Sequence, residues 1–321
     1  MGQQTTENKP IRILLVDGDP KSAKVISQVL TRVVSKPDAR SELDEEAVNS
    51  DYDLLIVNFD GLDSERRVLM TRLLATRKIH RPSLIMSRNR TRDELKDLFS
   101  AKTLSNFLAT NEEVDVDDLL VTVQKIIRKD IFGIEKYFVW GTTSRINQIS
   151  ASSEKDNLLR ELREYVDNIG IPQRLSSMFH TVADEFISNA LYNAPVDASG
   201  QHQFRSVSRT QDIQLDPPAC VEVKVCCDGR RLGISTRDPF GSLLPDTILE
   251  YLAKCFGRAD NQVDTKTGGA GLGFYQILDS LSHFVVNISP GRHTEMIGII
   301  DVRGTYKDFV TGGKSFNIFL L

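Results

Sequence analysis

Tryptophan occurs once in this chain of 321 residues, cysteine four times and histidine five times. None of Cys220, Cys226, Cys227 and Cys255 forms a CxxC pair, and the adjacent Cys226 and Cys227 fall in an alternating stretch that points them to opposite faces. This spacing argues against a zinc site or a disulfide framework and for small buried thiols in a reducing cytoplasm. His80, His180, His202, His283 and His293 show no metal-ligand spacing either. No apolar run approaches the ~18 residues that span a bilayer, and the polar start MGQQTTENKP lacks the apolar core of a signal peptide. The Met1–Gly2 start is too permissive a pattern to indicate acylation. Positive charge is also short. Against 44 Asp and Glu stand 40 Lys and Arg, and the formal net charge of −4 leaves no general attraction for nucleic acid or an anionic membrane.

What remains is an ordinary globular composition, 40% hydrophobic and 26% charged, in a chain long enough for about two domains. Residues 1–10 are polar and are expected to be a disordered tail. From Ile11 to about residue 130, short apolar runs alternate with helical patterns. The runs are IRILLV, DARSELD, LLIVN, PSLIMS and LSNFLA. Between and after them come a helix opened by Pro20, a helix around DEEAVNS, then SERRVLMTRLLAT, TRDELKDLFS and VDDLLVTVQKIIRK. Repeated βα units predict a doubly wound, five-stranded parallel sheet in an α/β domain over residues 11–130. Such sheets gather their chemistry outside the C-terminal ends of the strands. Here those ends carry Asp17, Gly18 and Asp19, then Asn58 and Asp60, then Ser87, then Thr110 and Asn111.

LLVDGDP, DLLIVN, PSLIMS and LSNFLATN, in this order and spacing, resemble the receiver domain of bacterial two-component response regulators. The resemblance puts Asn58 where the family has its phosphoacceptor aspartate, and Asp17 and Gly18 where it has a pair of acids. Ser87 takes the hydroxyl position, Thr110 the place of a lysine and Asn111 that of the following proline. An amide is a poor nucleophile, and Mg²⁺ prefers hard, charged oxygen ligands. Two carboxylates and a cation are therefore missing together. Asp19 and Asp60 lie near the aligned positions but would reach the pocket only through a remodelled loop. The resemblance thus implies a pseudo-receiver, a module for protein contact that phosphate does not switch.

Residues 131–154 read as a linker, yet IEKYFVW holds Tyr137, Phe138 and Trp140 and is expected to pack against one domain or to bridge both. From residue 155, NLLRELREYVDNIG predicts a helix, and Pro172 opens a longer one through RLSSMFHTVADEFISNALYNA. Glu185, Asn189 and Asn193 recur every fourth residue and share one face of it, while Val182, Phe186 and Leu191 cover others. CVEVKVCC and RRLGISTRD form a hairpin about Asp228–Gly229 and end at Asp238 in DPFG. LPDTILEYLAKCF predicts a helix and GRADNQVDTKT a loop. TGGAGLGFYQILDSL is a glycine-rich turn opening a helix, a form whose backbone amides approach anions. It does not follow a strand, which argues against a dinucleotide-binding unit. HFVVNIS, EMIGIIDV and SFNIFLL close the chain as strands.

As an ordered set, DEFISNA, DPFG, GGAGLG and GGKSFNIFL resemble the Bergerat-type (GHKL) ATP-binding fold over residues 155–321. Histidine kinases, anti-sigma-factor serine kinases, gyrase-type ATPases and Hsp90-type chaperones share it. The resemblance implies an α/β sandwich that binds ATP with Mg²⁺, and the helix pair before DEFISNA is closest to the serine-kinase branch. It makes Asn189 the Mg²⁺ ligand and Glu185 the general base. It sets Asp238 against the adenine amino group, Gly269, Gly271 and Gly273 along the phosphates, and Ser315 near adenine. Two departures matter. Phe240 stands where the family has glycine, with Gly241 one residue late, and would turn aside, stack on the base or block it. Asn193 stands where histidine kinases carry an aromatic residue. Lys266 or Arg258 would supply a phosphate contact.

A histidine autokinase needs its substrate histidine on helices before the ATP domain, and none occurs between Asp130 and Leu175. His180 lies within the DEFISNA helix, too near Glu185 to receive phosphate from that site. Two readings stay open. One is an ATP-dependent serine kinase or ATPase using Glu185; the other is an adaptor whose ATP site sets partner binding without chemistry. The resemblances imply a bacterial cytoplasmic signalling protein. Its partners would be other signalling proteins (a kinase, a regulator or an anti-sigma-type partner) and a second copy of itself, with neither nucleic acid nor membrane insertion.

Overall fold

A computed structural model describes residues 10–34, 36–44, 46–47, 50–75, 82–88, 105–110, 114–257 and 277–321. The expected tail up to residue 9, the helix TRDELKDLFS and the glycine-rich turn lie outside these described residues.

The apolar runs of the first half form β1 (Ile13–Val16), a short β2 (Asp38–Arg40), β3 (Leu54–Asn58), β4 (Ser83–Arg88) and β5 (Asn106–Thr110). They pair in parallel in the order β2-β1-β3-β4-β5. This is a doubly wound order with its reversal between β1 and β3, the place where such sheets open a crevice. All of β3 is buried, as a strand covered on both faces must be. Asp19 caps α1 (Pro20–Leu30) by accepting from the Lys21 N–H, and α2 (Ser64–Ala75) follows β3. Asp115 caps α3 (Val116–Arg128) through the N–H groups of Asp117 and Asp118.

The second half supplies β6 (Ser144–Ile149), α4 (Lys155–Asn168), α5 (Gln173–Ser188), β7 (Val221–Cys227), β8 (Arg231–Asp238) and α6 (Pro245–Gly257). β9 (His283–Ser289), β10 (His293–Asp301), α7 (Tyr306–Thr311) and β11 (Ser315–Leu320) complete it. Its strands do not make a separate sheet. β11 pairs antiparallel with β5, Phe316 opposite Phe107 and Asn317 opposite Asn106, and the result is one 11-stranded sheet, β2-β1-β3-β4-β5-β11-β9-β10-β8-β7-β6. The Ala109 N–H donates to Ser315 Oγ at 3.0 Å and the Ile318 N–H to the Ser105 carbonyl at 2.7 Å, which closes the seam.

The cores divide by face of the sheet and not by half of the chain. One face packs Leu55, Val57, Ile85 and Phe107 together with α4, α5, Phe284 and Phe316. The other packs Ile13, Leu54 and Leu108 with α1, α3, Val285, Ile297 and Phe319. The expected linker is part of this framework. Ile134, Tyr137 and Phe138 are buried against the second face, and β6 is the last strand of the sheet. Aromatic burial holds the segment in place, as IEKYFVW anticipates, although Trp140 is 98% exposed at the tip of the turn that reverses into β6. The Cys226 thiol is buried and pushed up to about 12 by that burial, an inert group.

Polar groups pin α3 across the seam. Arg231 on β8 grips Asp118 on α3 with two parallel bonds of 2.8 Å, and also reaches Asp115 at 3.1 Å and the Tyr137 carbonyl at 3.1 Å. His283 Nε2 lies 3.2 Å from the same Asp118 carboxylate, and burial lowers the pKa of this imidazole. Truncating one partner strands the other charge in the interior, which costs about 3–5 kcal/mol. Arg231→Ala is therefore expected to lower the unfolding free energy by an amount of that order, read from the fall in urea midpoint multiplied by the slope. The native protein should unfold in a single transition by fluorescence and far-UV dichroism. Two separated transitions would show the halves to be independent.

Candidate functional site

Two polar centres lie where the topology puts chemistry. The first is the crevice beside β1 and β3. Asn58 ends β3, and its Nδ2 donates to Asp17 Oδ2 at 2.9 Å and Ser22 Oγ at 3.0 Å, while its Oδ1 accepts from the Asp60 N–H at 3.2 Å. Gly18 is explained by crowding: a Cβ there would stand 2.1 Å from the Gly61 carbonyl oxygen. An acidic side chain therefore cannot replace it without moving the backbone.

Asp60 departs from the expectation that it stays clear of the pocket. A tight 3-10 turn, Phe59–Gly61, remodels the loop and folds Asp60 inward. Its carboxylate accepts from the Arg88 N–H at 2.8 Å, Thr110 Oγ1 at 3.2 Å and Ser87 Oγ at 3.4 Å. The guanidinium of Arg88, a cation the sequence reading missed, stands 3.7 Å away. Asp19 does not enter, being committed to the cap of α1. Thus Asp17, Asn58, Ser87, Thr110 and Asp60 converge, but their polar groups satisfy one another. Asn111 lies outside the described residues.

The second centre is a cleft of about 620 Å³ between the end of α5, the strands β8, β9 and β10, and α6. Glu185, Asn189 and Asn193 enter from the helix, Asp238 and Thr236 from β8, Phe284 and Val286 from β9, and Thr294 and Met296 from β10. The helix does not end regularly. Residues Asn189–Asn193 make a π-helical turn in which the Ala194 N–H reaches the Asn189 carbonyl at 3.0 Å. Such insertions recur at functional sites because they turn side chains out of the helical register. Here a chain of polar contacts results. Asn193 Nδ2 donates to Asn189 Oδ1 at 2.6 Å, and Asn189 Nδ2 donates to Glu185 Oε1 at 3.2 Å. Arg209 Nη1 donates to Glu185 Oε2 at 3.4 Å.

Asp238 sits at the floor with its carboxylate accepting from the N–H groups of Phe240 at 2.9 Å and Gly241 at 3.3 Å. Burial outweighs these donors and raises its pKa to about 6. Gly241 has φ +57°, and a Cβ on it would come 2.3 Å from the Ser289 carbonyl oxygen, so the late glycine is a requirement of the turn. Phe240 packs into the core beside the cleft and is not among the residues lining it.

Not every residue singled out in the sequence joins this cleft. Ser315 lies at the start of β11 and accepts from Ala109 at the seam, because β11 is paired between β9 and β5. His180 is also absent from the lining. Arg258, Lys266, Gly269, Gly271 and Gly273 lie outside the described residues. Conversely, His202, Arg205 and Arg209 line the cleft from the connection between the helix and β7, to which no role was assigned from the sequence. Its only signal was the pair of arginines four residues apart.

Among the described residues no three His, Cys, Asp or Glu side chains converge as a metal site, and no helix is long and apolar enough to cross a membrane. The donor set still suits Mg²⁺ carried by a phosphate ligand, which commonly keeps waters and takes few protein oxygens. Asn189 Oδ1 is such an oxygen. The buried Asp238 carboxylate and a cleft volume within the usual 300–1,000 Å³ fit a flat base with amino donors.

No family model and no curated protein matches the chain. Among solved structures it is similar to response regulator DrrB of Thermotoga maritima, an OmpR/PhoB homolog, at 13% identity and TM-score 0.31, covering 38% of this chain and 54% of that one. The chain thus spans about half the length of that relative. A second Thermotoga maritima response regulator is 17% identical, with 37% of this chain and 99% of that one covered at TM-score 0.29. The isolated REC domain of RcsB from Salmonella enterica serovar Typhimurium, with phosphomimetic BeF3-, is 11% identical, with 40% and 96% covered at TM-score 0.32. Likeness this distant carries no weight, and the strand order and side-chain geometry stand on their own.

The Asp238 shift has a consequence for stability. Its folded pKa of about 6 exceeds the unfolded value, so the folded chain binds the extra proton between the two. The contribution is complete below about pH 4 and is lost as pH rises through about 6, a change of about 3 kcal/mol. Asp238→Asn should remove this component, seen as a smaller fall in urea midpoint between those pH values than in the native protein.

Proposed function

We propose that the protein is a signalling protein that binds ATP with Mg²⁺ in the cleft beneath α5, and that its receiver-like half is a fixed contact module. One observation carries the reading: Glu185, Asn189, Asn193 and Asp238, spread over 54 positions of sequence (238 − 185 + 1), meet in a single cleft. Asp238 would accept from the adenine amino group, and the described surroundings leave room for this, since Phe240 turns into the core. Asn189 Oδ1 would hold Mg²⁺, which neutralises phosphate charge when bound. Glu185 would orient and deprotonate a hydroxyl or water. Gly269, Gly271 and Gly273, with Lys266, remain the proposed cover for the phosphates, and Asn193 orients Asn189. Ser315 is not proposed for the base.

A second reading, a binding adaptor without chemistry, is favoured by the state of Glu185. Both of its oxygens are engaged, one by Asn189 and one by Arg209, so each already accepts a hydrogen bond where a substrate hydroxyl or water would have to donate. The proposed partners are other signalling proteins, with self-association of the chain among the contacts, and the proposed setting is cytoplasmic.

Calorimetry with ATP and Mg²⁺ followed by phosphate release separates these readings. Binding and turnover that falls at least 100-fold in Glu185→Ala, about the share of a general base, supports the enzyme. Binding with no turnover supports the adaptor, and no binding ends the enzyme reading. For the first half, incubation with acetyl phosphate should leave the intact mass unchanged. A phosphoryl adduct that disappears in Asp60→Asn would sink the pseudo-receiver.

A further inference from the structure

The connection between the π-helical turn and β7 does more than join two elements. Its start folds back on itself, with the Asp197 N–H donating to the Gln201 carbonyl at 2.9 Å and the Gln203 N–H to the Pro195 carbonyl at 3.0 Å. Its end is clamped to the chain before α4. The Leu215 N–H donates to the Ser150 carbonyl at 2.7 Å and the Ser152 N–H to the Ile213 carbonyl at 3.0 Å, and both Ile213 and Leu215 are buried. Between these anchors, Tyr192 from the π-helical turn holds the middle. Its Oη donates to the Gln211 carbonyl at 2.9 Å and lies 3.3 Å from that of Arg209. The arginines are thus exposed side chains on a fixed backbone.

Their position is specific. Arg209 touches Glu185, whose other oxygen touches Asn189, so its guanidinium stands on the helix side of the cleft that Asp238 also lines. Arg205 lines the same cleft. The described lining holds two carboxylates, Glu185 and Asp238, and its only arginines are these two. A ligand with several phosphates running from the floor toward Asn189 would pass the Glu185 anion. Without a counter-charge it would be repelled.

We infer that Arg205 and Arg209 form the phosphate clamp of the cleft, selecting a nucleoside polyphosphate over a nucleoside, and that the clamp also restrains Glu185 until phosphate arrives. The inference rests on the nucleotide reading above. A guanidinium forms stronger, two-pronged bonds to phosphate than the single 3.4 Å contact it makes with Glu185. Occupancy would draw Arg209 to the terminal phosphate and release Glu185 Oε2. Restraint of the base and recognition of the ligand are then one exchange of partners.

The test is titration of ATP, ADP and adenosine, each with Mg²⁺, into the native protein, Arg205→Ala, Arg209→Ala, the double variant and Arg209→Lys. Arg145→Ala on β6 serves as a control for net charge. ATP affinity should fall about tenfold or more in each alanine variant, while adenosine affinity is unchanged. Arg209→Lys should recover part of the loss. The salt dependence of ATP binding should flatten in the double variant, with melting temperatures confirming the fold. Unchanged ATP affinity, or equal losses for ATP and adenosine, would overturn the clamp while leaving the nucleotide reading intact. If the native protein binds none of the three ligands, the nucleotide reading fails and the clamp with it.

Discussion

The bidentate pair between Asp118 and Arg231 is the constraint on which the rest of the molecule depends. It joins the last helix of the doubly wound half to a central strand of the other half, and both side chains are almost wholly removed from solvent. Buried ion pairs contribute little net stability, because desolvation offsets most of their attraction; what they supply is a unique arrangement. Around this pair α3 cannot rotate or slide without stranding a charge. Lys125, about two turns further along the helix, adds a second pin. Its ammonium donates to Tyr137 Oη at 3.0 Å, lies 4.3 Å from the centre of the Phe319 ring and is lowered to about 7 by burial. Glu295 below accepts from the Gly133 N–H and from Asn287, and so fastens the connecting segment to β10. With α3 and that segment fixed over the seam, β5 and β11 meet in a single register.

The two polar centres differ in whether their donors and acceptors are already used. In the crevice, the Asp60 carboxylate takes three donors and Asn58 ties Asp17 to Ser22, so hydrogen bonding is satisfied from within. In the cleft, a buried carboxylate is held by backbone donors and by Thr294, among apolar side chains and threonines, with a string of amides from the helix in the same lining. The first arrangement is a finished piece of structure. The second is one that, on the proposed reading, a ligand with amino groups and negative charge would complete. A single framework therefore carries a self-satisfied centre and an open cleft across its width.

Much of this was legible in the sequence. Period-two and fully apolar runs place most strands, and Asp19 with Pro20 places the start of α1. The Asp228–Gly229 hairpin is visible because only a few residue types suit such a turn. The meeting of Glu185, Asn189 and Asp238 follows from ordered motifs rather than from periodicity. Three features were hidden for physical reasons. The seam is hidden because strand neighbours far apart in sequence leave no local pattern. The π-helical turn is hidden because one added residue per turn changes hydrogen bonding and not composition. The inward turn of Asp60 depends on the mutual approach of Gly18 and Gly61, two glycines separated in sequence by α1, β2 and β3. The same limit explains Ser315, whose place was assigned by motif but decided by which strand lies beside β11.

The seam between β5 and β11 also bears on how such a chain can be divided or inherited. Each strand of a sheet must have its polar edge paired, covered or guarded, and here each half pairs one edge strand of the other. Separated at the connecting segment, the halves would bare the edges of β5 and β11, including Phe107 and Phe316, which are buried in the joined sheet. Neither piece is a portable module. A domain of this form could be copied, lost or recombined only together with its neighbour, so its history should be that of a single unit.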